Sequence, residues 1–307
     1  MNEERPNTAS HTRASPAPAS DQAKASAFAE DSLSELVRFD KVSKSFGAGS
    51  EARVAIQDVS FVVHDLPDKG ELVAIVGPSG CGKSTVLRII AGLRPHHPPT
   101  SGEAKVFGKA IEKPGAERGM VDQKYSLMPH LTVLENIAFG LMLRGVPDRE
   151  RRDRAREWAK KVGLEGTEDK YPSELSGGMQ QRVSIAATLI LEAKILLMDE
   201  PFGALDPRIR MQMQELLVQL WKEQQSTVFI VTHSVEEAIY LGDRVLRMAA
   251  KPGRLVEMLK LPRPDVPPEV MRKEPWFNAL TQELLRRLET DAPASGELPG
   301  IEKWRQT

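Results

Sequence analysis

Apolar and polar positions alternate near the start of this chain and later condense into short solid blocks. LVRFDKVSKSF (36–46) and AIQDVSFVV (55–63) place apolar residues at roughly every second position, the period of a strand with one buried face. LVAIV, Leu72 to Val76, is apolar throughout, which marks a strand buried on both faces, as in parallel sheets. ILLM (Ile195 to Met198) and TVFIV (Thr227 to Val231) repeat that block, and helical stretches fall between them. The pattern predicts an α/β core. A long, helix-rich insert separates the first block from the second. Within it Ala155, Trp158, Ala159 and Val162 recur at helical spacing, with Asp148 as the expected N-cap and Gly163 as the expected stop.

The pattern fades at both ends. HTRASPAPASDQAKASAFAE is too rich in Ala, Ser and Pro to bury much surface, so a disordered tail is expected over 1–34. The opening MNEERPNTAS holds Glu3 and Glu4 and no apolar stretch, unlike a secretion signal. LPRPDVPPEV (261–270) is too proline-rich for a helix or a central strand. Beyond it Trp276, Leu280, Leu284 and Leu288 form an i, i+4 stripe that predicts a docking helix over KEPWFNALTQELLRRLE (273–289). From Asp291 the composition loosens again. The expected division is a tail over 1–34, a globular domain over 35–258, and a Pro-rich linker with one short helix over 259–307.

Composition narrows the classes. With 307 residues, 40% of them hydrophobic, a full core is affordable. A net charge of -1 argues against nucleic acid as a partner. RERRDRARE (149–157) alternates in sign and reads as a solvated helix face. No apolar run reaches membrane-spanning length, so any membrane role goes through a separate partner. The single cysteine, Cys81, allows no internal disulfide and fits a reducing compartment.

The strongest chemical signal is GPSGCGKST, which follows an apolar strand and opens an apolar helix. Gly77, Pro78, Ser79, Gly80, Cys81, Gly82, Lys83, Ser84 and Thr85 form a phosphate-binding loop pattern. Glycines let the backbone turn its N–H groups toward phosphate oxygens, Lys83 adds a point charge, and the Ser84 hydroxyl can ligate Mg²⁺. Cys81 reads as a small filler. In ILLMDEP, Asp199 ends a buried strand, where it would hold Mg²⁺ through water, and Glu200 can accept a proton from an attacking water. LSGGMQQR, Leu175 to Arg182, offers a second anion site through Ser176, Gly177 and Gly178 ahead of a helix. Alone, LSGG is also what an ordinary helix start looks like. One chain holding one ATP has no need of two such sites, whereas two chains head to tail would use both.

With those motifs in that order, the sequence resembles the ATPase subunits of ABC transporters from about Val37 to Arg254. The resemblance implies a RecA-like P-loop NTPase core with an antiparallel β subdomain and a helical ABC-specific subdomain at about 124–180. It implies ATP and Mg²⁺ as ligands, with Phe46 stacking on adenine. Gln123 would meet Mg²⁺ and the attacking water, Asp206 would lie in the loop crossing the dimer interface, and His233 would contact the γ-phosphate. Implied partners are a second copy or a homologous cassette, integral membrane permease subunits and, indirectly, a periplasmic or lipid-anchored substrate-binding protein. The expected location is the cytoplasmic face of the inner membrane.

A free-standing cassette without a long coiled coil, a second phosphate loop or fused membrane helices best fits a bacterial importer. PHLTVLENIAFGL, DEPFGALD and PGRLVEMLKLPRP resemble the nitrate, sulfonate and taurine importer group. HDLPDKGE and LRPHHPPTSGE are longer than usual, and Asp122 stands where an apolar residue is common. A soluble ABC ATPase acting on a non-membrane partner remains the alternative.

Overall fold

The computed structural model describes residues 33–67, 69–123, 126–203, 205–261 and 268–289. The expected tail and the residues from Asp291 onward lie outside these, as do 262–267 of the Pro-rich stretch.

The alternating segments become β1 (Glu35–Phe46) and β2 (Arg53–His64), which pair antiparallel. With β4 (Ser101–Val106) and β5 (Lys109–Ala110) they form a sheet in the order β2-β1-β4-β5. The solid blocks become β3 (Leu72–Val76), β7 (Ile195–Asp199) and β8 (Thr227–Val231), each buried along its whole length. They join β6 (Arg118–Val121), β9 (Arg244–Ala249) and β10 (Arg254–Lys260) in a sheet of order β10-β9-β3-β8-β7-β6. Its pairings are parallel except β10 with β9.

The fully apolar blocks serve two cores. Leu72, Ala74 and Val76 of β3 face one cluster, while Val73 and Ile75 face the other. Strand alternation sends consecutive residues to opposite faces, so a sheet covered on both sides needs apolar residues at every position. One cluster contains α1 (Lys83–Ala91) and the antiparallel sheet. The other contains α2 (Val133–Leu143), α3 (Asp148–Lys161), α4 (Gly177–Leu189), α5 (Pro207–Gln224) and α6 (Val235–Leu241). It also takes in α7 (Pro268–Met271) through Met271 and α8 (Pro275–Leu288) through Trp276, Phe277, Leu280 and Leu284.

The helix-rich insert also supplies strands: β4 and β5 leave it for the antiparallel sheet, and β6 for the edge of the core sheet. Two local expectations change. Asp148 is the first helical residue of α3; Pro147 occupies the cap, and the Asp148 carboxylate pairs with Arg151 and Arg152. Pro268 starts α7, within the stretch read as too proline-rich for a helix, because a first-turn proline lacks only an N–H that would go unused. The expected stop at Gly163 does follow α3, with φ at 69°.

Arg287 ties α8 down electrostatically. Its guanidinium bonds Glu257 at 3.0 Å and Glu283 at 2.8 Å, while Arg247 reaches Glu257 at 2.6 Å. Two buried guanidiniums thus share two carboxylates, which leaves neither charge alone.

Candidate active site

Parallel pairing aligns carboxyl ends, and the strands β3, β8, β7 and β6 end side by side along one edge of the core sheet. Beyond β3 the chain enters the phosphate loop and α1, and beyond β7 it reaches Glu200. Past β8 come Thr232 and His233, and past β6 come Asp122 and Gln123. The fold itself gathers these residues from distant parts of the sequence.

In the loop, Gly82 has φ at 90°, and a Cβ there would lie 2.3 Å from Ile56 Cγ2. Only glycine admits both the conformation and the close pass against β2. Pro78, Ser79 and Gly80 are exposed, whereas Gly77, Cys81, Lys83 and Thr85 are buried. Lys83 Nζ donates to the carbonyls of Gly77 at 2.8 Å and Pro78 at 3.1 Å, spanning the loop from within. Gly82 gives α1 no side-chain cap, so the amides of the first turn face the loop ready for an anion. Burial pushes the Cys81 thiol up despite the neighbouring Lys83 charge, which keeps it a neutral filler.

Ser84 Oγ donates to Asp199 Oδ1 at 2.8 Å. Burial raises the pKa of Asp199, opposed by the Ser84 hydrogen bond and by Arg88. The same Arg88 nitrogen lies 3.5 Å from both Asp199 Oδ2 and Asp122 Oδ1, bridging the ends of β7 and β6.

Each oxygen of Glu200 has its own neighbour. Gln123 Nε2 donates to Oε2 at 2.9 Å, and His233 Nδ1 lies 3.1 Å from Oε1. Glu200 has φ at 49°, a left-handed backbone that costs an ordinary residue about 1 kcal/mol or more. Its N–H donates to Val231 O at 3.0 Å and its carbonyl accepts from Gly203 N at 3.1 Å, which hold the turn in place. A carboxylate so held can accept a proton from a water placed against it.

Other sequence candidates stand apart. Ser176 caps α4 by accepting from Met179 N at 3.4 Å, and Ser176 and Gly177 are exposed. Among the described residues no hydrogen bond joins this segment to the phosphate loop. Asp206 caps α5, accepting from the amides of Arg208 and Ile209, each at 3.1 Å. Phe46 is half-buried at the end of β1, with its ring edge-on to His96 at 5.2 Å. Sequence reasoning passed over Arg88, Thr232, Gln214 and Glu237, which support the site from behind. Only Glu237 left a signal: Ser234 and Glu237 form an S-x-x-E pattern ahead of an apolar run.

These strand-end groups on a phosphate loop define an ATP-hydrolysing P-loop protein, and comparison with known proteins specifies which kind. The profile of the ABC transporter family matches residues 56–203. A taurine import ATP-binding protein of Rhizobium johnstonii is 48% identical over 227 residues, covering 74% of this chain and 84% of that protein. An uncharacterized ABC transporter ATP-binding protein of Methanocaldococcus jannaschii is 44% identical, covering 84% of this chain and 96% of its own length. A solved dimeric structure of the ATP-binding cassette MJ0796, in a post-hydrolysis state with ADP and Pi, superposes with a TM-score of 0.65. It is 34% identical and covers 74% of this chain and all of that one. The chain belongs to the ABC transporter family, as one of its ATP-binding, ATP-hydrolysing proteins.

Proposed function

We propose that this protein is the ATPase subunit of a bacterial ABC importer, working as a head-to-tail dimer in which each signature segment closes over the ATP held by the other chain. The observation that carries the dimer is the exposed Ser176 cap, an anion site with no bond to its own phosphate loop. Lys83 and the loop amides neutralise phosphate charge, and Glu200 orients and deprotonates the attacking water. His233 holds the γ-phosphate, Gln123 positions the water, Phe46 stacks on adenine and Asp206 faces the partner. Phosphoryl transfer needs placement and charge compensation more than covalent help, and these roles supply both.

Mg²⁺ fits the residues present. The Ser84 hydroxyl and Asp199 carboxylate, 2.8 Å apart beside the loop, are hard oxygen donors, and the Gln123 amide is bonded to Glu200, the next residue after Asp199. Among the described residues no cluster of three or more His, Cys, Asp or Glu could cage a metal. That suits an ion taking most ligands from phosphate and water. Bound there, Mg²⁺ would neutralise charge on the phosphates, held by Ser84 and Gln123 directly and by Asp199 through water.

The taurine import relative, together with an aliphatic sulfonates import ATP-binding protein of Bacillus licheniformis that is 41% identical over 247 residues, supports an importer of a small solute of the nitrate, sulfonate or taurine kind. No described helix is long and apolar enough to cross a membrane, so the pathway would belong to separate permease subunits fed by a substrate-binding protein. We place the chain at the cytoplasmic face of the inner membrane, with the cassette at 35–258, a helical subdomain at about 124–180, and appended segments at 1–34 and 259–307. Affinity purification from detergent-solubilised membranes of the native host tests this. A stoichiometric integral membrane protein is expected; recovery from the soluble fraction alone, even after ATP trapping, would leave a soluble ABC ATPase.

A further inference from the structure

Behind His233 lies a chain of buried polar groups that the reaction as described does not use. The Thr232 hydroxyl donates to Glu237 Oε2 and accepts from Ser234 N at 3.0 Å, so the residues on either side of His233 are fixed to one another. Glu237 Oε1 accepts from Gln214 Nε2 of α5 at 2.8 Å. Gln214 Oε1 in turn accepts from Arg272 at 2.7 Å, and that guanidinium lies 5.3 Å from the centre of the Tyr240 ring. Thr232, Gln214 and Glu237 are 3%, 2% and 6% exposed.

Buried polar groups are costly unless each finds a partner, and here Thr232, Glu237 and Gln214 each find one in the next link, Gln214 taking its last hydrogen bond from one terminal nitrogen of Arg272. A Ser-x-x-Glu start would ordinarily return the glutamate to its own helix cap. Here the Ser234 hydroxyl accepts from Glu237 N at 3.2 Å, but the carboxylate turns away to Thr232 and Gln214. Its departure from the local pattern spends a carboxylate on holding the turn that carries His233. The far end of the chain is Arg272, just past α7, in the segment that leads into α8.

We propose that Arg272, acting through Gln214 and Glu237, is a positioning residue for His233, so that the docked C-terminal segment sets the rate of hydrolysis. The proposal rests on the reading of His233 as the γ-phosphate contact. Arg272 is half-buried, so Arg272→Met removes the outer donor while a side chain of similar length still fills the position. Losing one buried hydrogen bond of this kind corresponds to a rate effect of about 3- to 10-fold.

The test is steady-state ATP hydrolysis by the full-length chain, with thermal unfolding recorded alongside. Arg272→Met and Gln214→Met are each expected to lower kcat by about 3- to 10-fold while KM for ATP stays within about two-fold. Arg272→Lys, which can still donate to Gln214, is expected to recover most of kcat, and the two Met substitutions together to cost no more than one. Should Gln214→Met fail to fold, Gln214→Asn withdraws the amide by one methylene and takes its place. An unchanged kcat in Arg272→Met, or a loss that Arg272→Lys does not repair, overturns the proposal. His233→Ala separates the two readings. If that variant turns over normally, the role of His233 falls; if it is slow while Arg272→Met is normal, only the present proposal falls.

Discussion

At Gly77–Thr85 a strand turns through glycines into α1, and at Leu175–Arg182 a turn leads through glycines into α4. The first of these helix starts is walled in by its own chain: Lys83 spans the loop, Ser84 is bonded to Asp199, and Arg88 ties two strand ends together. The second has a single cap, Ser176 to Met179, and faces solvent. Under the head-to-tail dimer we propose, the first would be the half-site that holds the nucleotide and the second the half-site that a partner's nucleotide completes. The comparison teaches that two similar motifs can differ in how far their own chain finishes them.

The sharpest attempt to break it is Glu200→Gln. Turnover is expected to fall by about 10³-fold while ATP still binds, and the trapped chain should elute as a dimer in size-exclusion chromatography with Mg-ATP. Near-normal turnover would remove Glu200 from its role; a slow but monomeric variant would remove the dimer. Next comes Ser176→Arg, which fills the exposed site and leaves the loop untouched. Single-chain nucleotide affinity should hold within about two-fold while hydrolysis drops by about 10²-fold. If turnover survives, the signature segment has no part in it.

Stability sharpens the same contrast. Burial raises the pKa of Asp199, so between the ordinary carboxylate value and its own the folded chain holds more protons than the unfolded. Stability tied to that proton is complete at low pH and lost as pH rises through the folded value. Asp199→Asn should therefore raise the thermal midpoint of the nucleotide-free chain at pH 7, with the gain shrinking as pH falls toward the ordinary carboxylate value. The smallest expected effect lies on α8, outside both helix starts. Arg286 and Arg287 hold Glu283 down at about 2 from 4.5, so its contribution is present at neutral pH and fades as pH falls through that interval. Glu283→Gln should cost about 1 kcal/mol or less at pH 7 and progressively less as pH falls toward 2, read from denaturant unfolding curves.

The strands that build the catalytic edge were legible because burial on both faces leaves no polar position in them: β3, β7 and β8 are solid apolar runs. The stripe of α8 was equally plain. β6 was hidden because Arg118–Val121 is a short edge strand containing a charge, and β4 because the residues Ser101–Glu103 face solvent. Of the site, the phosphate loop, Asp199 and Glu200 were read from local pattern, while Gln123 and His233 needed the family resemblance. Gln214 and Arg272 meet only through the tertiary fold, 58 residues apart in sequence, and no local pattern could pair them.

The only thiol in the chain belongs to the phosphate loop itself and is fully buried, 3.9 Å from Lys83 Nζ. A maleimide added in excess would react with it only during the moments when that loop lifts. The labelling rate is thus a clock for loop opening that nature has already installed, and its slowing as ATP is added would report occupancy without any engineered probe.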